Sequence, residues 1–531
     1  MFEQIAALCL NVALALAVGS IVLLFFYKSK KFDYWSKQGL KGPRPVPIFG
    51  NSYEQFIKPA NLIELDRYEK YGKVYGYFDL KVPVLSIADP ELIKLIFVKD
   101  SNLFINRHES RRVDSVNLKS LLALRDENWK RVRSTVSPAF TSGKIKRMLK
   151  TIEECSSSLL RILNTKAERN EEVDMKSLFG SFAMNVIARC AFGTETDTYK
   201  NPNDPFVTNA IEWLHLKFSR VLLTMFCPKF FRKLFNIDPT PQRVVFFFVQ
   251  LTKHLINQRK ESKIKTNDFL QLLIDAEQSS TDLENEIKDI NDGLIGNSES
   301  REEIERNARL LNEAKHSGKK LSEEEIIAQV MVFLVAGYET TASLLSFTSY
   351  CLAINESVQE KLYDEIKTNV DKINEINYEL LNSLPYLNAV INEALRIYPP
   401  VMRTDRQASQ DYKIPINDIV IPKGGLVSIP ILAIHHDPNN FSEPEKFIPE
   451  RFLASNIENI KPYTYLPFGS GPRNCIGMRF ALAETKLALC KLLYNFKLKP
   501  CENTDIPLKV RFSAALVYPV KRIILKVEKR R

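Results

Sequence analysis

The chain has 531 residues, of which 45% are hydrophobic, and this composition supports a large buried core and excludes a disordered protein. Its 74 basic and 63 acidic residues give a net charge of +11 that is spread along the sequence. Since no nucleic-acid-binding motif accompanies this charge, we expect a membrane surface or an acidic protein as the partner, and no nucleic acid.

The N-terminus carries an uncharged run of 23 residues, from Ile5 to Tyr27. Such a run can cross a bilayer core of about 30 Å as a helix. Lysines at 28, 30 and 31 follow it, and this basic flank predicts that the remainder of the chain lies in the cytosol. A cleaved signal peptide is the alternative, but no basic segment precedes the run and it continues past its small-x-small sites. We therefore predict a transmembrane anchor over residues 1–28.

The next segment, residues 29–50, is predicted to be a basic, proline-rich hinge. Pro43, Pro45 and Pro47 exclude a helix there and favour a stiff extended spacer. No second domain boundary follows, so residues 51–531 are predicted to form one catalytic domain.

Within this domain, residues 71–87 alternate in polarity and predict short strands. Asp89 and Pro90 then predict the N-cap and first residue of a helix. Strand-like pieces recur near 412–432 and 495–527, so the fold class is mainly α with a minor β part. Helical periodicity covers residues 127–165, 174–192, 204–224, 241–262, 322–355, 357–370 and 386–397.

Two segments depart from this pattern. Residues 277–320 are polar and highly charged, and they predict a solvated insertion. Residues 226–231 and 246–248 are unusually aromatic, and two interpretations stay open for them. They are part of the core, or they form a lip that dips into the membrane and admits apolar substrates.

Residues 468–477 read F-G-S-G-P-R-N-C-I-G and contain Cys475. Gly469, Gly471 and Gly477 permit the tight turn that would aim backbone N–H groups at a thiolate. The chain has eight cysteines and no C-x-x-C pair, which argues against a zinc ribbon or a disulfide-dense scaffold. The loop has the features that a thiolate ligand to a haem iron would need, and Cys475 is the candidate.

The residues around Cys475 fit this hypothesis. Phe468 can exclude water from one side of the sulfur, and Arg473 can offer a cation to the carboxylates of the haem. A helix that begins at Met478 would point its positive end at the sulfur and favour the thiolate.

A second motif, A-G-Y-E-T-T, begins at Ala336 within a long apolar helix that a capping box at 322–325 starts. Such a helix should be buried, and the acid Glu339 and the alcohol Thr340 are costly there unless they have a use. Gly337 is predicted to leave room beside the helix for a small molecule. The simpler interpretation is that the threonine hydroxyl bonds the carbonyl one turn back.

These motifs resemble those of the cytochrome P-450 superfamily, in which a cysteine thiolate ligates haem. The loop is similar to F-x-x-G-x-R-x-C-x-G, and W-K-R-x-R-S and S-P-x-F-T-S-G-K are most similar to animal microsomal family 3 and its arthropod relatives. The resemblance spans nearly the whole chain. It implies a cytochrome P-450 fold with a single haem domain behind an N-terminal transmembrane helix.

The resemblance also implies roles for individual residues. Trp129 and Arg133, one helical turn apart, would hold a haem propionate, with Arg107 and Arg406 as further contacts. Around Ala336 and Gly337 the family holds dioxygen over the iron, and Glu339 and Thr340 would relay protons to it. The residues expected to brace the haem loop are Glu393, Arg396 and Arg451. The two histidines at 435 and 436 are predicted to be structural or propionate-adjacent, and not iron ligands.

The implied activity is that of a monooxygenase that inserts one oxygen atom of O₂ into a lipophilic substrate. Electrons would come from NADPH through NADPH–cytochrome reductase, with cytochrome b5 as a second partner, at the cytosolic side of the endoplasmic reticulum membrane. Segments 108–125, 204–250 and 401–406 are expected to contact the substrate. The cations expected to dock an acidic reductase are Lys130, Arg131, Lys144, Lys146, Arg147, Arg479 and Lys486.

Two alternatives keep the haem but change the function. One is a haem-thiolate isomerase that rearranges peroxides without a reductase, and the other is a non-enzymatic haem sensor in the membrane. The pair Glu339–Thr340 argues against both, because neither function needs protons delivered to dioxygen.

Overall fold

The computed structural model describes most of the chain downstream of the predicted anchor. Residues 1–28 and nearly all of the predicted insertion, 277–320, lie outside the described residues. The described residues are 30–108, 116–194, 196–201, 203–214, 219–220, 223–224, 227–235, 237–262, 266–275, 320–370, 376–513 and 516–530.

Helices dominate the described residues and strands are a minor part, so the predicted mainly α composition is confirmed. The α-helices are α1 (Ala60–Tyr71), α2 (Pro90–Lys94), α3 (Asp126–Val136), α4 (Ser142–Glu168), α5 (Met175–Ile187), α6 (Pro205–Leu214), α7 (Lys229–Leu234), α8 (Gln242–Ser262), α9 (Phe269–Asp275), α10 (Glu323–Ile354), α11 (Glu356–Asn369), α12 (Tyr378–Ser383), α13 (Pro385–Ile397), α14 (Ile431–His435) and α15 (Met478–Asn495). The Asp89 side chain caps α2, as predicted, by accepting the N–H groups of Glu91 and Leu92.

The strands are short and lie in small sheets. They are β1 (Val74–Asp79), β2 (Val82–Ile87), β3 (Val173–Asp174), β4 (Thr404–Gln407), β5 (Tyr412–Lys413), β6 (Val420–Ile421), β7 (Leu426–Ile429), β8 (Phe496–Lys499), β9 (Val510–Ser513), β10 (Leu516–Pro519) and β11 (Ile524–Lys529). The largest sheet has the order β1-β2-β7-β4, in which β2 and β7 run parallel. Arg406 pairs with Val427 in this sheet, which fixes the position of a predicted haem contact.

The long helix α10 runs through the core. Ser322 accepts the N–H of Glu325, and the Glu325 carboxylate accepts the N–H of Ser322, so the predicted capping box is present. Of the helices within the described residues, α10 alone is long and apolar enough to cross a membrane. It packs instead against α5, α13 and α15 as the central helix of the domain.

The periodicity over residues 127–165 predicted continuous helix, and the structure divides it. α3 ends at Val136, a 3-10 turn covers Ser137–Phe140, and α4 begins at Ser142. Pro138 has no N–H to donate, and Thr141 is extended with φ −68° and ψ 153°. The apolar spacing continues across the break because both helices face the same core.

The segment predicted as a hinge packs on the domain from residue 32 onward. Trp35 is 3% exposed, and its Nε1 donates to the carbonyl of Tyr77 at 3.0 Å. The N–H of Gly76 donates to the carbonyl of Lys41 at 3.0 Å. A Cβ atom at Gly76 would lie 2.2 Å from Cγ of Trp35, so β1 can hold this ring only with a glycine there.

Gly76→Ala should therefore displace Trp35 and lower the free energy of unfolding by about 2 kcal/mol, as overpacking does. Chemical denaturation followed by circular dichroism measures the change. Gly143→Ala is the control, because a Cβ atom there meets nothing within 4 Å. Equal midpoints for Gly76→Ala and the parent protein would contradict the packing described here.

Candidate active site

Cys475 lies in a tight loop that leads into α15. Its N–H donates to the carbonyl of Phe468 at 2.9 Å. Gly469 and Gly471 have φ of 74° and 73°, a left-handed conformation that favours glycine. A Cβ atom at Gly471 would also lie 2.0 Å from the carbonyl oxygen of Phe97, so the loop closes against the segment after α2.

The Cys475 side chain is exposed, although its neighbours Ser470 and Arg473 are 2% and 4% exposed. Most of the other described cysteines are buried. The sulfur therefore faces open space from the middle of a loop that the protein otherwise encloses. Such a thiol is available to a ligand, whereas a structural cysteine packs against its neighbours.

Opposing effects act on the pKa of the Cys475 thiol. The surrounding protein raises the pKa by removing water from the thiolate. A hydrogen bond from the N–H of Gly477 and the positive charges of Arg133 and Arg107 lower the pKa. The N–H of Gly477 and the two arginines therefore stabilise the negative charge of the thiolate.

Arg473 is held by three backbone carbonyls. Its Nε donates to Ile105 at 2.7 Å, Nη1 to Leu121 at 3.2 Å and Nη2 to Leu124 at 2.6 Å. The guanidinium lies 4.2 Å from the ring centroid of Trp129, which is 1% exposed. This stacking fixes both side chains beside the cysteine loop.

Four further arginines surround the loop. Arg107 donates to the carbonyl of Arg473 at 3.4 Å, and Arg406 donates to the carbonyl of Ser470 at 3.3 Å. Arg133 donates to Oδ1 of Asn474 at 2.9 Å. The fourth is Arg125, which sequence reasoning did not single out. The structure thus brings all four predicted arginines, at 107, 133, 406 and 473, to one place.

This arginine cluster (residues 107, 125, 133, 406 and 473) has an excess of positive charge. Burial and the charges of the other four arginines together lower the pKa of Arg473 to about 8. Burial and Arg107 lower the pKa of Arg406 to about 9. Burial also lowers the pKa of Arg133 to about 10. Each shift means that the charged form is destabilised as the site stands.

Within the part of the chain that the structure describes, no member of the arginine cluster forms an ion pair with a carboxylate. The buried Nε of Arg133 has no hydrogen-bond partner. Buried cations are stabilised by anions, and guanidinium groups bind carboxylates in pairs of parallel hydrogen bonds. The two propionates of a haem supply such anions beside the exposed sulfur of Cys475, so the residues fit a thiolate-ligated haem.

The middle of α10 supplies a second open surface. Ala336 is exposed, although α10 is otherwise mostly buried. The hydroxyl of Thr340, also partly exposed, donates to the carbonyl of Ala336 at 2.5 Å. The Thr340 hydroxyl thus bonds the carbonyl one turn back, which was the simpler interpretation of this residue. Its side chain nevertheless lies at the exposed part of the helix.

The structure gives a reason for a glycine at position 337 that differs from the predicted one, which was room for a small molecule. A Cβ atom there would lie 2.5 Å from Cδ1 of Ile187. The room beside Gly337 is therefore taken by a side chain of α5, and the glycine lets the two helices pack closely. The exposed residue in this part of α10 is Ala336, one position earlier.

Glu339 points away from Thr340. It is 2% exposed and forms an ion pair with Nζ of Lys176, from α5. The same Nζ donates to Oγ of Ser343 at 2.7 Å. Burial lowers the pKa of Lys176, and the charge of Glu339 opposes this shift. The acid and the alcohol therefore occupy two sides of α10, and Lys176 is a contact that the sequence did not reveal.

Glu393, Arg396 and Arg451 come together as expected. Arg396 donates to both carboxylate oxygens of Glu393, at 2.7 and 2.9 Å, and both side chains are fully buried. Arg451 donates to Oε1 of Glu393 at 3.3 Å. The backbone N–H of Ile448 donates to the same oxygen at 2.9 Å. The carboxylate thus joins α13 to the segment that precedes the cysteine loop.

His435 extends this network to the loop. Burial, followed by the charge of Arg396, lowers the pKa of His435 well below its usual range, so the ring is neutral. Its Nε2 accepts the N–H of Leu466 at 2.9 Å, which leaves Nδ1–H to donate to the carbonyl of Arg396 at 3.1 Å. Nε2 of His436 contacts the carbonyl of Ile397. Both histidines therefore have structural partners.

Two of the cations expected to dock a reductase, Lys486 and Arg131, are largely covered by the protein. Lys486 is 7% exposed, and its Nζ donates to Oδ1 of Asn382 at 2.7 Å. Burial lowers its pKa to about 8. Arg131 is half-buried and forms an ion pair with Glu325, the capping residue of α10. Their sequence positions suggested a charged surface, but neighbouring helices cover them.

Comparison with known proteins agrees with this geometry. The Cytochrome P450 family profile matches residues 40–527 of the chain. The chain is 39% identical to Cytochrome P450 3A11 of Mus musculus and 40% identical to Cytochrome P450 3A7 of Homo sapiens. Each alignment covers 99% of this chain and 98% of the relative. The chain therefore belongs to the cytochrome P450 family and is a haem-thiolate monooxygenase.

Proposed function

We propose that Cys475 is the iron ligand and that this enzyme oxidises lipophilic substrates at the endoplasmic reticulum membrane. The observation that supports the ligand is the exposed Cys475 sulfur beside buried arginines that lack carboxylate partners. When bound, the haem would supply the activation of O₂, with electron density from the thiolate favouring O–O cleavage.

The chain's own residues would bind and orient this group. Arg107, Arg133, Arg406 and Arg473 would neutralise the propionates, while Trp129 holds Arg473 by stacking on it. Phe468 lies next to the main core and would exclude water from the sulfur.

The Thr340 hydroxyl would be the proton donor nearest to the reacting oxygen, because Thr340 lies at the exposed part of α10. Glu339 would act one step further from the oxygen, since its carboxylate is paired with Lys176 on the other side of the helix. A general-acid role of this kind requires a proton donor within hydrogen-bond reach of the reacting group.

The aromatic segment supports a membrane contact. Phe230, Phe231, Phe235 and Phe246 are 70%, 48%, 66% and 64% exposed, whereas Phe248 is fully buried. Exposed aromatic side chains so close in sequence are unfavourable in water and favourable in a bilayer interface. Phe226 lies outside the described residues. This surface would admit substrates that are dissolved in the membrane.

Electrons would come from NADPH–cytochrome reductase, with cytochrome b5 as a second donor. Lys144 and Arg147 on α4 remain candidate contacts, because both side chains are at least partly exposed. An acidic partner would be attracted by the net charge of +11. Neither alternative function, peroxide rearrangement or haem sensing, needs this electron supply.

Cys475→Ser should abolish the thiolate-specific long-wavelength Soret band of the reduced carbon-monoxide complex, because an alcohol does not replace the thiolate. With reductase and NADPH, the variant should also fail to add one oxygen atom to any member of a lipophilic substrate panel, as read by mass spectrometry. Cys501→Ser is the matched control and should keep both properties. An unchanged band in Cys475→Ser would remove Cys475 as the ligand.

Thr340→Ala should uncouple oxygen use from product formation several-fold and release more peroxide, because the proton donor nearest the open surface is lost. Thr341→Ala is the matched control, since Thr341 is 1% exposed and its hydroxyl has no hydrogen-bond partner. Product and peroxide are measured against NADPH consumed. Equal coupling in Thr340→Ala and Thr341→Ala would exclude Thr340 from the relay.

A fluorophore attached at Phe230→Cys should be quenched by lipids with brominated acyl chains when the full chain is reconstituted in nanodiscs. The reason is that the exposed rings of α7 should enter the interface. Arg161→Cys, an exposed charged position on α4, is the control and should show no quenching. Equal quenching at the two positions would contradict a membrane contact through α7.

A further inference from the structure

Arg125 is the member of the arginine cluster with no assigned role. It is the last residue before α3 and is half-buried. Its Nη1 donates to the carbonyl of Arg107 at 3.2 Å, and its Nη2 donates to Oε1 of Gln407 at 2.6 Å. The amide of Gln407 is itself fixed, because its Nε2 donates to the carbonyl of Gly424 at 3.0 Å. Arg125 thus joins the backbone of Arg107 to the strand β4.

The backbone next to Arg125 is strained, and hydrogen bonds to Asn106 keep it in that conformation. Asp126 has φ of 47°, a left-handed conformation that a residue with a side chain rarely adopts. Asn106 stabilises it, since Nδ2 of Asn106 donates to Oδ1 of Asp126 at 2.6 Å and the N–H of Asp126 donates to Oδ1 of Asn106 at 2.9 Å. Strain of this kind persists where surrounding contacts fix it, and it often marks a functional site.

These contacts lie on both sides of Arg107. The N–H of Gln407 donates to the carbonyl of Asn106 at 2.7 Å, immediately before Arg107. Nη1 of Arg125 donates to the carbonyl of Arg107 itself. The backbone of Arg107 is therefore fixed against β4 and α3, and its guanidinium is left to reach the carbonyl of Arg473.

Arg125 also acts through its charge. After burial, the charges of Arg107, Arg406 and Arg133 lower the pKa of Arg473, and the charge of Arg125 adds to them. A charge that acts on Arg473 also acts on a negative group bound beside it. Charges in this partly buried region are screened by salt far less than charges on the open surface.

We propose that Arg125 is a positioning residue for the haem, which fixes Arg107 for the propionates and raises the reduction potential of the bound iron through its charge. The inference rests on the haem site proposed above. Reduction adds one electron from an external reductant to ferric iron and gives ferrous iron, with no bond formed or broken. A nearby positive charge stabilises the more negative product of this step, so it makes reduction more favourable.

Two substitutions separate the charge from the hydrogen bonds. Arg125→Gln removes the charge and keeps an amide that can donate to the carbonyl of Arg107. Arg125→Lys keeps the charge and loses the planar fork that binds Arg107 and Gln407 together. Arg161→Gln removes an exposed charge on α4 and is the matched control.

The experiment uses the full chain loaded with haem. Spectroelectrochemical titration gives the midpoint potential, and transfer of haem to apomyoglobin gives the rate of haem loss. We expect Arg125→Gln to have a more negative potential than the parent and to lose haem several-fold faster. Arg125→Lys should keep the parent potential and lose haem faster, while Arg161→Gln should match the parent in both.

A potential in Arg125→Gln equal to that of Arg161→Gln would overturn the role of the charge. A rate of haem loss in Arg125→Lys equal to the parent rate would overturn the positioning of Arg107. If Arg125→Gln takes up no haem, Arg125→Lys must restore uptake, and its failure to do so would also overturn the inference. A parent protein without the thiolate Soret band would instead refute the haem site itself.

Discussion

The structure depends on a concentration of positive charge beside one cysteine. Five arginines lie at or beside the cysteine loop, from four parts of the chain, and their partners there are backbone carbonyls and side-chain amide oxygens instead of carboxylates. Carbonyl oxygens satisfy the geometry of a guanidinium but neutralise little of its charge. An anionic ligand would neutralise the charge that these oxygens do not. A haem whose iron meets the sulfur and whose propionates meet the arginines fulfils this requirement.

A buried network of side chains fixes the position of the cysteine loop. The ion pair of the fully buried Glu393 and Arg396 fixes α13. His435 bonds the carbonyl of Arg396 through Nδ1 and the N–H of Leu466 through Nε2, so it connects α13 to the backbone before the cysteine loop. From Leu466 the chain enters the loop that carries Cys475. A buried carboxylate with several donors is costly to disturb, because loss of one partner leaves the other charge unpaired. The backbone that leads to Cys475 is thus positioned by a network of buried side chains.

Local features of the sequence could be predicted well. The Ser322–Glu325 capping box, the Asp89 cap and the turn glycines of the cysteine loop depend on neighbours a few residues away. The family motifs also identified four of the five arginines that lie beside Cys475, all except Arg125. These are patterns that backbone geometry enforces within one turn of a helix or one tight loop.

The remaining features depend on contacts between distant parts of the chain. Lys176 meets the Glu339 carbonyl across a separation of 163 residues, and Arg473 meets Ile105 across 368. Nothing beside Gly337 in the sequence reveals that Ile187 fills the space next to it. The burial of Lys486 likewise follows from how α12 packs on α15, which periodicity does not specify.

The central claim is that sulfur from Cys475 binds iron in the resting enzyme. X-ray absorption at the iron edge of the purified full chain tests this most directly, because it reports the atoms bonded to the metal. The account predicts four nitrogen neighbours from the porphyrin and one sulfur neighbour. A spectrum fitted by nitrogen and oxygen neighbours alone would contradict it.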